Sequence, residues 1–273
     1  MRLNEGIAVA MLAMILLLCI IAACNSKQER NETKEVSTEE VVISDSGIVN
    51  FEYGNCADSA GYCARFFLDY SELQSLDSEL RGVIGNSIIS KIAATYIDSC
   101  MAENLALFAE CQGREFSAAY EEFVGTFPDV RQRWFDSTGI SIVFESDKLI
   151  SIQSYRFSYT GGAHPNTWTY FFNFNRGTLS QFTLSDLIAP DCGERFRAEA
   201  ERNFRSTVGI GPDEPLDGAG LWFPDGLFDV PDNFILTDST ITFLYNPYEV
   251  APYSSGSISF SMNKATLGSC IKF

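Results

Sequence analysis

Near residue 140 the spacing of apolar residues changes from four to two, and that change confines the chain to folds with helices and sheets in separate stretches. Before it, Leu76, Leu80, Ile84, Ile88 and Ile92 recur every four residues. This spacing predicts an amphipathic helix with Asp77 and Glu79 in its first turn. Phe116, Ala119, Tyr120 and Phe123 mark a second helix that ends before Pro128, because proline cannot continue it. The stretch from Cys100 to Cys111 reads as helical too. Upstream, residues 48–53 and 63–70 read as strands joined by a Gly/Asn/Asp/Ser turn. Past residue 140, Ile140, Ile142 and Phe144 alternate with Ser141 and Glu145. Trp168, Tyr170, Phe172 and Phe174 share a face opposite Thr167, Thr169 and Asn173, and Ile258, Phe260 and Met262 oppose Ser257, Ser259 and Ser261. Such alternation indicates antiparallel strands with one buried face. Phe196, Ala200 and Phe204 stripe a charged helix over 194–206. Residues 209–231, rich in Gly, Pro and Asp, read as a long irregular insertion. There is no βα alternation and no internal repeat. The fold class is therefore α+β: antiparallel sheets with a few packing helices.

The N-terminus reads as an address. Residues 7–23 are an unbroken apolar run of 17 behind a short head with Arg2 and Glu5, shorter than the roughly 20 residues of a membrane span. The length suits a secretory signal peptide over residues 1–23. The ending Ile21-Ala22-Ala23-Cys24 is similar to a bacterial lipobox, in which the Cys24 thiol takes a diacylglyceryl group. Acyl chains bind a bilayer with about 0.8 kcal/mol per buried CH₂, so a lipid bilayer is the first expected partner. Asn25 rather than Asp follows the cysteine, which gives no inner-membrane retention signal of the enterobacterial kind. The expected location is the bacterial cell envelope, at its periplasmic or outer-membrane face. Residues 24–40 are polar and cannot bury enough surface to offset ordering entropy, so they read as a disordered tether.

Eight cysteines less Cys19 and Cys24 leave Cys56, Cys63, Cys100, Cys111, Cys192 and Cys270. An even number in an exported chain favours disulfides. Fifteen pairings exist; the most local is Cys56–Cys63, Cys100–Cys111 and Cys192–Cys270. A metal cluster is disfavoured by the lack of any CxxC pair.

Charge and residue supply exclude several chemistries. With 36 acids against 19 bases, a net charge of −17, the chain has no means of neutralising phosphates, so nucleic acid is not an expected partner. His164 is the single histidine, and a zinc hydrolase site needs at least two with a carboxylate. No GxSxG elbow and no GxxxxGK phosphate loop is present, and export favours oxidised cysteines over a catalytic thiol. No cofactor is implied and no catalytic residue is assigned. Paired carboxylates acting on a glycan remain as the enzymatic alternative.

His164 lies in Gly161-Gly162-Ala163-His164-Pro165-Asn166, a turn signature between two strands. It reads either as a ligand contact on an exposed loop or as a demanding turn whose imidazole bonds the neighbouring strand. Prolines at 247 and 252 interrupt strand pairing around Tyr248, Glu249 and Tyr253. That segment reads either as a binding surface, two tyrosines flanking a carboxylate, or as core tyrosines with Glu249 bonding backbone amides. His164, Asn166, Tyr248, Glu249 and Tyr253 are the candidate ligand-binding residues. Trp222 or Phe223 in the insertion reads either as a further contact or as ordinary packing.

The stretch Tyr159-Thr160-Gly161-Gly162-Ala163-His164-Pro165-Asn166, then an aromatic strand, Leu184-Ser185-Asp186-Leu187 and a helix, resembles the domain-of-unknown-function family numbered 3298. Asn246-Pro247-Tyr248-Glu249-Val250-Ala251-Pro252-Tyr253 with Gly256 is similar to that family's most distinctive stretch. The resemblance covers roughly residues 150–268, within a region 150–273 similar to the C-terminal domain of the anti-sigma factor RsiV. Residues 41–149 resemble the module named after the N-terminal part of the deacetylase PdaC. The resemblance implies an α+β envelope domain and kinship with a protein whose extracellular part binds lysozyme. Only six residues precede the apolar run, so a sigma-factor route is not expected, and the deacetylase domain has no counterpart. The expected function is a non-catalytic envelope lipoprotein that binds a protein or glycan ligand. A basic protein such as a lysozyme-type hydrolase is the sharpest candidate, its charge agreeing with the acidic surface. The alternatives are a glycan-active enzyme using carboxylates and a structural or assembly component.

Overall fold

In the computed structural model, which describes residues 40–44, 46–93, 95 and 100–272, the leucine and isoleucine stripe becomes helix α1 (Ser78–Ala93). Asp77 caps it by accepting a hydrogen bond from the Leu80 N–H at 2.9 Å, and Leu80, Ile84, Ile88 and Ile92 are all buried. The predicted second helix is longer than expected. The 100–111 and 116–123 patterns belong largely to one helix, α2 (Leu105–Thr126), capped by the Asn104 side chain on the Leu107 N–H. The signal peptide, Cys24 and the tether up to residue 39 lie outside the described residues.

Six strands form one sheet in sequence order: β1 (Glu40–Ser44), β2 (Ile48–Gly54), β3 (Cys63–Asp69), β4 (Trp134–Glu145), β5 (Leu149–Tyr159) and β6 (Asn166–Asn175). Neighbours are antiparallel except β3 and β4, which run parallel. That exception follows from the two helices between them, since only a long crossover returns the chain in the same direction. Both helices cover one face of the sheet. Val49, Phe51, Phe66, Leu68, Ile150, Ile152, Phe172 and Phe174 pack there against α1 and α2. The helix α2 lies so close that a Cβ on Gly113 would sit 2.3 Å from the Phe51 ring; only glycine fits.

The expected face of β4 needs correction. Ile140 and Ile142 point into this first core, but the register shifts between Ile142 and Phe144. The bulge turns Phe144 to the other face, where it joins a second core. There Leu149 and Phe144 meet a three-stranded antiparallel sheet, β7 (Phe234–Leu236), β8 (Thr240–Tyr245) and β9 (Ile258–Asn263). Helix α3 (Gly193–Val208) carries the expected stripe, with Phe196, Ala200 and Phe204 buried, and stops at Gly209 with φ 76°. Residues 209–231 hold no strand and one short 3-10 turn, Pro224–Gly226, as the composition predicts. The boundary expected at 149/150 falls one residue inside β5, which pairs with β4 along its length.

Three asparagine side chains join the sheets. Asn173 donates to the Phe234 carbonyl and accepts from the Leu236 N–H, while Ser151 donates to the Leu236 carbonyl. Asn233 and Asn246 then bond the free edge of β6: their side-chain oxygens accept from the Phe171 and Thr169 N–H groups, and their amides donate to the Thr169 carbonyl. In this way side chains satisfy an edge that would otherwise pair with another strand.

The disulfides are Cys56–Cys63, Cys100–Cys111 and Cys192–Cys270, the most local of the fifteen pairings. The first closes the β2–β3 turn and the second ties α2 to the residues before it. The third fastens the C-terminus to the start of α3 across a separation of 78 residues. A loop of that length is worth about 4 kcal/mol in the chain-entropy model. Cys192→Ala/Cys270→Ala should therefore unfold in urea with a free energy lower by about that amount, whereas Cys56→Ala/Cys63→Ala should lose less. Equal losses in the two double variants would contradict this account.

Candidate functional site

The site grows out of a turn. Asn246, at the end of β8, is fixed by its bonds to Thr169, and its own N–H donates to Glu249 Oε2 at 2.7 Å. The Glu249 N–H closes the turn on the Asn246 carbonyl at 3.1 Å. Pro247 and Tyr248 occupy the two central positions, and Tyr248 has φ 71°. Proline followed by a positive φ is the pattern of a type II turn, whose third position favours glycine. A tyrosine held there costs about 1–2 kcal/mol, and its ring is 53% exposed.

The β5–β6 loop brings His164 to this ring. His164 Nδ1 lies 2.9 Å from the Pro165 carbonyl and Nε2 lies 3.1 Å from the Tyr248 hydroxyl. A carbonyl only accepts, so the proton between His164 and Pro165 sits on Nδ1, and Nε2 shares a hydrogen bond with the Tyr248 hydroxyl. On its flat side His164 stacks on Tyr253, centroids 3.6 Å apart and planes within 11°. Tyr248 and Tyr253 sit 5.6 Å apart. Three of the five candidate residues thus form one aromatic surface.

The other two do different work. Glu249 spends its carboxylate on the Asn246 backbone, as one of the two readings of that segment expects. Asn166 opens β6 opposite Ser158, with an exposed side chain. Of the insertion aromatics, Trp222 is 52% exposed and its backbone N–H donates to the Val250 carbonyl, two residues from Tyr248. Phe223 takes the packing alternative: it is buried against Phe204, Phe228 and Tyr245, where its ring fills the second core.

Burial raises the Tyr245 hydroxyl far above the ordinary phenol range, with Asp229 and Glu249 adding to the effect; it stays protonated and donates to the Asp229 carbonyl. Among the described residues, no group of three His, Cys, Asp or Glu is placed to hold a metal ion. No described helix is long and apolar enough to cross a membrane. The larger hollows lie away from His164: one of about 430 Å³ beside Lys91 and Tyr170, and one of about 650 Å³ on the sheet face at Arg65 and Phe67.

Sequence reasoning missed Asn173 and Asn233. Asn173 lies within β6 and Asn233 in the loop just before β7, and in neither place does an asparagine carry a signal of a partner more than sixty residues away.

These features define an α+β protein in which a two-helix crossover sheet is clamped by asparagines to a smaller sheet that presents an aromatic turn. Residues 185–265 match the family described as "Protein of unknown function (DUF3298)". This range contains the Asn246–Tyr253 stretch; the His164 loop lies outside it. A DUF3298 member from Bacteroides fragilis shares the fold at 18% identity and a TM-score of 0.60, over 88% of this chain and 96% of that one. A DUF3298 protein from Pseudomonas aeruginosa does so at 19% and 0.55, over 86% and 94%. No curated protein matches the chain.

Proposed function

We propose that the chain is a non-catalytic lipoprotein of the cell envelope, held at a bilayer through acylated Cys24, that binds a protein or glycan through the His164–Tyr248–Tyr253 surface. The observation that carries this reading is Tyr248. A bulky side chain kept in a backbone conformation that favours glycine, and more than half exposed, is accounted for by contact with a ligand. Aromatic rings give large contact area at low entropic cost. The rings stack on one another and Tyr248 stands half exposed, which suits contact with a macromolecule. A net charge of −17 favours a basic partner, and a lysozyme-type hydrolase meets that description. Against catalysis, both nitrogens of His164 are engaged by a carbonyl and a phenol. The glycan-active alternative has less support: Glu115 and Asp136 share a cleft, but Arg156 holds Asp136 through both carboxylate oxygens.

The test is a calorimetric titration of the purified chain with a basic lysozyme at low salt and at about 0.15 M, where the Debye length is about 8 Å. Saturable binding should persist at the higher salt. Tyr248→Gly should weaken it about tenfold or more while leaving the fold as stable or slightly more so, because the backbone strain is relieved. Heat that vanishes at about 0.15 M salt, or an unchanged affinity in Tyr248→Gly, would count against the reading.

A further inference from the structure

A smaller cleft, of about 320 Å³, opens between α2 and the helix-covered face of the sheet. We infer that it binds a neutral, hydroxyl-rich small molecule the size of one sugar ring, independently of the aromatic turn. Its size lies at the lower end of small-molecule pockets, about 300–1,000 Å³.

Unpaired donors carry the argument. Gln112 lines the cleft from α2 and is 3% exposed, yet its side-chain Nε2 has no hydrogen-bond partner among the described residues. Trp134 lines the same cleft from β4, and its buried Nε1 has none either. Buried donors are nearly always paired, since leaving one unpaired costs about 1–3 kcal/mol. Two on one cleft call for an acceptor from outside the chain.

The surroundings say what kind. Asp136 and Arg156 also line the cleft and neutralise one another. Glu115, exposed at the mouth, leaves the site with a negative bias that opposes an anionic acceptor. The acceptor is therefore a hydroxyl or carbonyl oxygen. Phe116 and Trp168 supply apolar wall beside Trp134, and Arg156 lies over the Trp168 ring at 5.4 Å. Aromatic walls combined with fixed amide and indole donors suit a sugar, which presents C–H faces and a rim of hydroxyls.

The experiment is a tryptophan-fluorescence titration of the purified full chain with glucose, galactose and N-acetylglucosamine, with glutamate and choline run alongside. At least one neutral sugar should give a saturable change, and neither charged compound should. Gln112→Leu should weaken that sugar about tenfold, the loss of roughly one hydrogen bond. Trp134→Phe, which deletes the N–H and keeps an aromatic ring, should do the same by calorimetry and covers the case in which Gln112→Leu fails to fold. The inference is overturned if no sugar saturates, if glutamate or choline saturates instead, or if both variants bind as the parent does.

Discussion

Arg156→Met should destabilise the chain by about 3–5 kcal/mol, the usual loss when one member of a buried ion pair is removed. Asp136 is 2% exposed and Arg156 8%. The guanidinium holds both carboxylate oxygens, with Nε to Oδ1 at 3.0 Å. Its Nη1 also donates to the Thr95 carbonyl and hydroxyl at 3.1 and 2.9 Å, tying the exit of α1 to the sheet. Without it a carboxylate stays buried with no cation. The loss should come from that stranded charge, so Asp136→Leu/Arg156→Met should recover most of the stability. Urea denaturation read by circular dichroism measures both, with an unchanged slope confirming that stability alone has moved. A loss below about 1 kcal/mol in the single variant would mean that water reaches the pair.

Phe204→Ala should cost a similar amount, about 3–5 kcal/mol, through a different cause. Phe204 is wholly buried, and its ring lies 5.2–5.7 Å from those of Phe223, Phe228, Tyr245 and Phe260. These come from the insertion, β8 and β9, so they cannot collapse together into the space left by the ring. The unfilled cavity adds to the lost transfer energy. Leu227→Ala, at a side chain 63% exposed, should change stability by less than about 0.5 kcal/mol. If Phe204→Ala proved as mild, α3 would not be a structural part of the second core.

How much of this was legible depended on whether one face of an element met one environment. The helices α1 and α3 each bury a single stripe, and their periodicity placed them. Strand β9 buries Phe260 and Met262 and exposes Ser259 and Ser261, so alternation placed it too. Strand β5 is different. Its even residues face the helices, but they run Ile150, Ile152, Ser154, Arg156, Ser158. The polar end of that row is buried around an ion pair, while Tyr155, half exposed, lies on the opposite face. Its first turn of sequence is covered on both faces, by Ile150 in one core and Leu149 in the other. A strand with cores on both sides and polar groups inside does not show a clean period. The sequence therefore implied a strand before the His164 turn but gave no period that placed it at 149–159.

The candidate site divides the same way. Tyr248, Tyr253 and His164 stood out as residues, through the prolines and glycines around them. Their meeting did not, because it depends on Asn246 pinning the β8 turn to the edge of β6 across 77 positions. The alternation at Ile140, Ile142 and Phe144 likewise gave the strand but not the bulge that sends Phe144 to the second core.

Taken alone, the order of residues determined the α+β class, the three longest apolar stripes, the irregular stretch at 209–231 and the supply of six cysteines. These are local properties, set by backbone period and by side-chain chemistry within one or two turns. Tertiary structure decided which cysteines pair, the parallel step from β3 to β4, the asparagine clamp and the stacking of His164 on Tyr253. Each of these joins residues remote in the chain, and such contacts exist only once both cores have closed around them.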